Sequence, residues 1–315
     1  MPAVAAPNAP VRMDVQSWVM LITLAAVWGS TFVLVEIILT AMPVLTLVAF
    51  RVGIAAVTLW LVMAVMRIRL PHSIGLWASF AVMGLVNNVL PFSAIVWGQT
   101  GITAGLAAIL NATTPIFAAI IAGATLPDER LTRSRVAGLA LGLVGVAVMV
   151  GPAALSGLGK DVPHQLAVLA AALSYGVAAV FGRRLRRYGL PPLALAAGQL
   201  TAASVILSPV ALIVDGAGAL AGPDFLMWLI IVLNACVSTA FAYLIYFRLL
   251  AKAGATNTTL VTVLIPVVAV VLGALLLSEH LTFSEFCGMA LIFAGLAVID
   301  GRVLRARRSR QGLAH

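Results

Sequence analysis

Apolar residues in this chain gather into runs of about twenty, and polar side chains do not recur within them at the spacing of a helix half-exposed to water. A helix rises ~1.5 Å per residue, so about 20 residues cross the ~30 Å of a bilayer's hydrocarbon. On that ruler ten spans are expected, at 17–39, 43–66, 73–98, 103–125, 135–150, 165–182, 193–214, 225–249, 256–277 and 283–301. The first run is too long for a signal-peptide core and is followed by further spans, so it reads as a retained helix. The expected fold is an all-α integral membrane protein. Its domain at 17–302 is preceded by a disordered tail at 1–16 and followed by a basic tail at 303–315.

Positive charge sorts by loop. Arg12 in the first tail, Arg67 and Arg69, then Arg130, Arg133 and Arg135, then Arg183, Arg184, Arg186 and Arg187, then Arg248 and Lys252, all fall on one side of a ten-span chain. The last tail adds Arg302, Arg305, Arg307, Arg308 and Arg310, while the opposite loops hold only Lys160. The positive-inside rule then puts both termini in the cytoplasm of a multi-pass plasma membrane, the inner membrane in a bacterium.

The chain also repeats itself. ERLTRSRVAGLALGLVGVAV, from Glu129 to Val148, returns 150 positions later as EHLTFSEFCGMALIFAGLAV, from Glu279 to Val298. The repeat keeps its Glu, Leu-Thr and two of its glycines, Gly138 and Gly145 as Gly288 and Gly295, but loses the arginines: Arg130, Arg133 and Arg135 become His280, Phe283 and Glu285. Five spans per half is an odd number, so the second half, about 165–301, enters the membrane inverted relative to the first, about 17–150. Inverted repeats are a recurrent plan of transporters, with the binding site at the repeat interface near the midplane.

Composition narrows the function classes. The chain is 63% hydrophobic and 9% charged, against roughly 25% charged in soluble domains. The net charge of +9 lies in short clusters between apolar runs, so it reports topology and not a nucleic-acid partner. Cys236 and Cys287 form no disulfide or metal pattern, and no phosphate-binding loop is present. His72, His164, His280 and His315 fall in loops or the tail, away from any constellation an intramembrane enzyme needs. No cofactor and no metal are expected; the partners expected are the lipid bilayer and a zwitterionic small molecule, with the oligomeric state open.

Several in-span residues are candidates for a cavity. Pro115 and Pro266 interrupt corresponding spans of the two halves, free the carbonyls of Asn111 and Thr262, and suggest hinges. Trp18, Trp77, Trp97 and Trp228 sit at span ends as interfacial anchors, but Trp28 is central and followed by Gly29, Ser30 and Thr31. Tyr175 with Gly176 takes the comparable place in the sixth span. Asn88 and Phe92, four apart, are expected on one face of the third span; Gln199, and then Ser238, Tyr243 and Tyr246, supply polar and aromatic groups in the seventh and eighth. Charge within spans is scarce: Glu36 and Arg51 are expected either to pair, or Glu36 to serve a cargo ammonium or a proton. Gly138, Gly142, Gly145, Gly288 and Gly295 permit close helix approach, within one chain or between two.

WGSTF at Trp28–Phe32, AFR at Ala49–Arg51, the Pro115 and Pro266 helices and the paired ERLT and EHLT loops together resemble the EamA-type drug/metabolite transporters. Within that superfamily the chain looks most like the YddG-type exporters of aromatic amino acids. The resemblance implies ten helices around a central cavity, lined by the first four of each half, with the fifth of each half peripheral. It implies export of small amphiphilic metabolites by alternating access. Exchange of other cargo, such as nucleotide sugars or drugs, and a scaffold without flux are the alternatives.

Overall fold

The computed structural model describes residues 13–71, 73–126, 132–150, 161–220 and 222–300. Residues 1–12, the tail at 303–315, His72, Lys160, Glu129 and Arg130 lie outside the described residues.

Ten helices traverse the described bundle: α1 (Val15–Leu39), α2 (Val44–Val65), α3 (Ile74–Gly98), α4 (Ala104–Thr125), α5 (Arg133–Val150), α6 (Val162–Gly182), α7 (Pro192–Val214), α8 (Phe225–Ala253), α9 (Val261–Leu277) and α10 (Phe283–Asp300). No strand occurs among the described residues. The outer surface is apolar, with Val15, Ile74, Ile213, Phe225 and Phe283 all more than three-quarters exposed. A soluble monomer does not tolerate such a surface, whereas lipid does. The chain is a multi-pass membrane protein.

Local signals set the helix starts. Asp14 caps α1 by accepting from Ser17 N at 2.9 Å, and Thr103 caps α4 by accepting from Leu106 N at 3.2 Å. Asp224 does the same for α8 through Met227 N at 2.8 Å. Thr282 and Glu285 form a reciprocal capping box on α10: Thr282 N donates to Glu285 Oε2 at 2.6 Å and Glu285 N to Thr282 Oγ1 at 3.3 Å.

The halves pack by exchange. α1 lies on α9 and α4 on α6, so the first helix of each half rests on the fourth of the other. Glycines make both contacts close. A side chain at Gly29 would come within 2.6 Å of Val268 Cβ, and one at Gly176 within 2.9 Å of Ala118 N. Val268 and Ala118 are themselves 150 positions apart, the repeat offset. α2 pairs with α7, where Thr46 N and Oγ1 both donate to Asp215 Oδ2 at 2.8 Å.

α5 and α10 carry the sequence repeat, and they pack on each other within one chain. A side chain at Gly138 would approach the Gly295 carbonyl oxygen to 2.7 Å, and one at Gly145 the Gly288 oxygen to 2.8 Å. Ascending on α5 is descending on α10, so the two copies run antiparallel, as the inverted arrangement requires. Loss of Cβ atoms at these positions lets the backbones touch.

Three expectations need correction. Pro115 opens the second half of a divided α4 (Ala104–Asn111, then Thr114–Thr125), where a missing amide costs nothing. Pro266, in contrast, lies inside the continuous α9, and the break in the second half falls earlier, at Thr259–Leu260, after a single turn at Ala255–Thr258. The interruptions are paired by helix but not by proline. Second, α3 and α8 each contain a π-helical turn, at Leu85–Val89 and Cys236–Phe241, which inserts a residue and rotates the helix beyond it. The Val86 carbonyl in the first is met by Ser174 Oγ at 2.7 Å. Third, the α-helical face expected to join Asn88 to Phe92 is broken by that turn.

Candidate functional site

A cavity of about 400 Å³ occupies the centre of the bundle. α1 contributes Trp28, Thr31, Phe32 and Val35, the i, i+3, i+4, i+7 stripe of one helical face. Ser30, expected in this group, is off the stripe and donates to the Val27 carbonyl at 3.0 Å. Arg51 enters from α2. Beyond the π turns, α3 contributes Phe92, Ile95 and Gln99 and α8 contributes Tyr243, Tyr246 and Leu250, while Thr239 comes from within the second π turn. Asn111 from α4, Tyr175 from α6 and Thr262 with Ile265 from α9 close the walls, and Ser238 lies among the lining residues of the second π turn.

Arg51 is the one charged side chain lining this cavity among the described residues. It is nine-tenths buried. Its Nε donates to Thr239 Oγ1 at 3.1 Å, and its guanidinium carbon stands 4.3 Å from the centre of the Phe92 ring. The expected pairing with Glu36 is not made. Glu36 lies two turns above Trp28 on α1 and receives Gln99 Nε2 at 3.4 Å instead. The pairing fails because Arg51 is held sideways by Thr239 and Phe92, at a lower level than Glu36. A guanidinium here has hydrogen-bond donors left for an anion, and among the described residues no carboxylate lines the cavity to take them.

Aromatic rings form the rest. Trp28 and Tyr246 approach with ring centres 5.7 Å apart, from opposite halves. Tyr175 packs against both apolar clusters of the bundle, one built on α1, α4 and α9 and the other on α2, α3 and α7. With Phe32, Phe92 and Tyr243 these make six rings lining the cavity that Arg51 enters. Asn111 brings a buried Oδ1 with no hydrogen-bond partner, an acceptor available to a bound donor.

The remaining expected residues stand behind or beyond the cavity. Asn88 is fully buried in the π turn with both amide atoms unpartnered, and Asn87 lines the cavity in its place. Asn87 Nδ2 donates to Gln199 Oε1 at 3.3 Å, so Gln199 supports the wall from behind. Pro115 and Pro266 are outside the lining. Among the lining residues that sequence reasoning missed, Thr31 and Gln99 had a signal, since they lie on helical stripes with Trp28 and Phe92; Thr239 and Asn87 sit within π turns, where helical spacing gives none.

A second cavity of about 560 Å³ lies beyond Gln99, which lines both. It gathers Glu36 from the end of α1, Thr100 to Thr103, Asp161, Gln165, Glu279 and Glu285. Glu279 does not cap its own helix. Its carboxylate accepts the amides of Ala104 at 2.7 Å and Gly105 at 3.1 Å, closing the first turn of α4 in the other half.

The EamA-like transporter family matches this chain twice, over residues 16–151 and 163–300. Among curated proteins it is similar to the uncharacterized transporter YoaV of Bacillus subtilis, 26% identical over 276 residues that cover 88% of this chain and 94% of the relative. It is 29% identical over 294 residues to a probable amino-acid metabolite efflux pump of Salmonella typhimurium, covering 90% and 94% of the two. One solved crystal structure superposes with a TM-score of 0.64 at 20% identity, covering 90% of this chain and 96% of the other, which shows a shared fold.

Proposed function

The chain belongs to the EamA-like transporter family, and on that premise we propose that it exports small amphiphilic metabolites, foremost amino acids with aromatic or other apolar side chains. The cargo moves by alternating access through the central cavity. The observation that carries this reading is Arg51: a buried guanidinium with no carboxylate lining its cavity among the described residues, in a cavity lined by six aromatic rings. A cargo carboxylate completes its charge-assisted bonds, Asn111 Oδ1 accepts from the cargo ammonium, and the rings take the apolar side chain. The name of the Salmonella relative supports the amino-acid class and the outward direction.

The arginine asymmetry supports placing both termini in the cytoplasm of a bacterial inner membrane and the Gln99 end of the cavity outward. The exchanged packing supports rocking of α1 and α9 against α4 and α6, with the breaks at Ala112–Thr113 and Thr259–Leu260 as flexing points. Phosphate-ester cargo calls for several cations, and the described cavity offers one. The test is flux in proteoliposomes of aromatic, aliphatic and charged amino acids, with and without a pH gradient. Movement of aromatic amino acids is expected; movement of sugar phosphates with none of amino acids contradicts the reading.

A further inference from the structure

We propose that the outer vestibule is a second, transient subsite for the ammonium group of the cargo, formed by the Glu36 carboxylate with the carboxamide oxygens of Gln99 and Gln165. This rests on the reading of the cargo as an amino acid and adds a station to its route.

The acceptors in the vestibule differ in how far they are already used. Glu279 is committed to the amides of Ala104 and Gly105, and Glu285 to Thr282 N. Glu36 is half-buried, and its hydrogen bond from Gln99 Nε2 is long, at 3.4 Å. Gln99 and Gln165 are each at least nine-tenths buried, and Oε1 of each has no partner. Both side chains line the vestibule. A buried carboxamide oxygen without a donor is costly and is normally satisfied. One carboxylate and two carboxamide oxygens offer three acceptors, with the exposed Asp161 at the rim and no Lys or Arg in the lining among the described residues, which matches the three N–H donors of a primary ammonium. The described residues hold no group of three His, Cys, Asp or Glu suited to a metal ion, so a divalent ion is a poor match.

Position gives the subsite its use. Gln99 is shared by the two cavities and is tied to α1 through Nε2, at 2.8 Å to the Phe32 carbonyl. A cargo leaving Arg51 outward must pass it. An ammonium drawn to Glu36 competes for the carboxylate that Gln99 now contacts, so arrival of the cargo releases one tie of the side chain that separates the chambers.

The test uses the purified full-length protein and two probes in calorimetric titrations: 2-phenylethylammonium, which has no carboxylate, and 3-phenylpropionate, which has no ammonium. Wild type binds both. Glu36→Gln is expected to weaken the ammonium probe by about tenfold or more, the scale of one hydrogen bond to a charged group. Gln165→Leu is expected to weaken it severalfold. Binding of 3-phenylpropionate is expected to hold within about twofold in both variants, and their unfolding temperatures report that they are folded. Absence of ammonium binding by wild type, or binding indifferent to both substitutions, overturns the subsite. So does binding of sodium at Glu36 with none of the ammonium probe, which makes the vestibule an inorganic-cation site. Glu36-dependent ammonium binding with no amino-acid flux in liposomes keeps the subsite and removes the transport reading; flux with Glu36-independent binding does the reverse.

Discussion

Arg51 Nε donates to Thr239 Oγ1 at 3.1 Å, a bond that crosses from α2 of the first half to the π turn of α8 in the second. It holds the guanidinium on the Phe92 ring with its remaining donors toward the cavity. Thr239→Val keeps the shape and removes the acceptor. The expected result is a severalfold higher KM for L-phenylalanine with a smaller change in maximal rate, read from initial flux in proteoliposomes.

Glu279 closes the first turn of a helix that belongs to the other half, so its loss acts at a distance in sequence. Glu279→Ala leaves the amides of Ala104 and Gly105 without their acceptor. A destabilisation of about 1–3 kcal/mol is expected, read as a lower unfolding temperature in detergent, and Glu279→Gln is expected to recover part of it.

The crossing of α5 and α10 has no room for side chains. Gly145→Leu is expected to cost about 1–3 kcal/mol through overpacking against Gly288 and Ile292. Because both helices lie away from the cavity, the folded fraction of this variant keeps its affinity for cargo, measured by calorimetry.

Asp14 ties the start of α1 to Lys252 at the end of α8, with 2.8 Å between Asp14 Oδ2 and Nζ. The ammonium group, together with the Ser17 amide, holds the Asp14 carboxyl well below the usual carboxylate range. A carboxyl depressed in the folded state stabilises above its unfolded pKa and loses that contribution as pH falls toward its folded value. Asp14→Asn is therefore expected to lower the unfolding temperature at neutral pH. The difference from wild type shrinks as the pH drops below the ordinary carboxylate range, and salt also reduces it.

Much of this is legible in the residues. Run length locates all ten helices, and the lost arginines of the second repeat imply the inversion that the antiparallel Gly138–Gly295 and Gly145–Gly288 contacts display. Trp28, Arg51, Phe92, Asn111, Tyr175 and Tyr243 are candidates on sequence grounds, and the fold brings them to one cavity. Asn88 is misplaced by a helical reading because a π turn has no composition signature: one inserted residue moves it behind the wall and brings Asn87 forward. The Glu36–Arg51 pairing fails because depth along two helices says nothing of the direction in which a side chain is held. The role of Glu279 is hidden in the sequence, since it depends on which helix start the folded chain presents to its carboxylate.

The most direct measurement is efflux of preloaded L-phenylalanine from proteoliposomes containing wild type or Arg51→Gln. The account predicts protein-dependent efflux by wild type and an affinity loss of roughly ten- to a hundredfold in the variant, the scale of one charge-assisted pair to a carboxylate. Efflux that is the same in both, or none in wild type under conditions where it is folded, contradicts it.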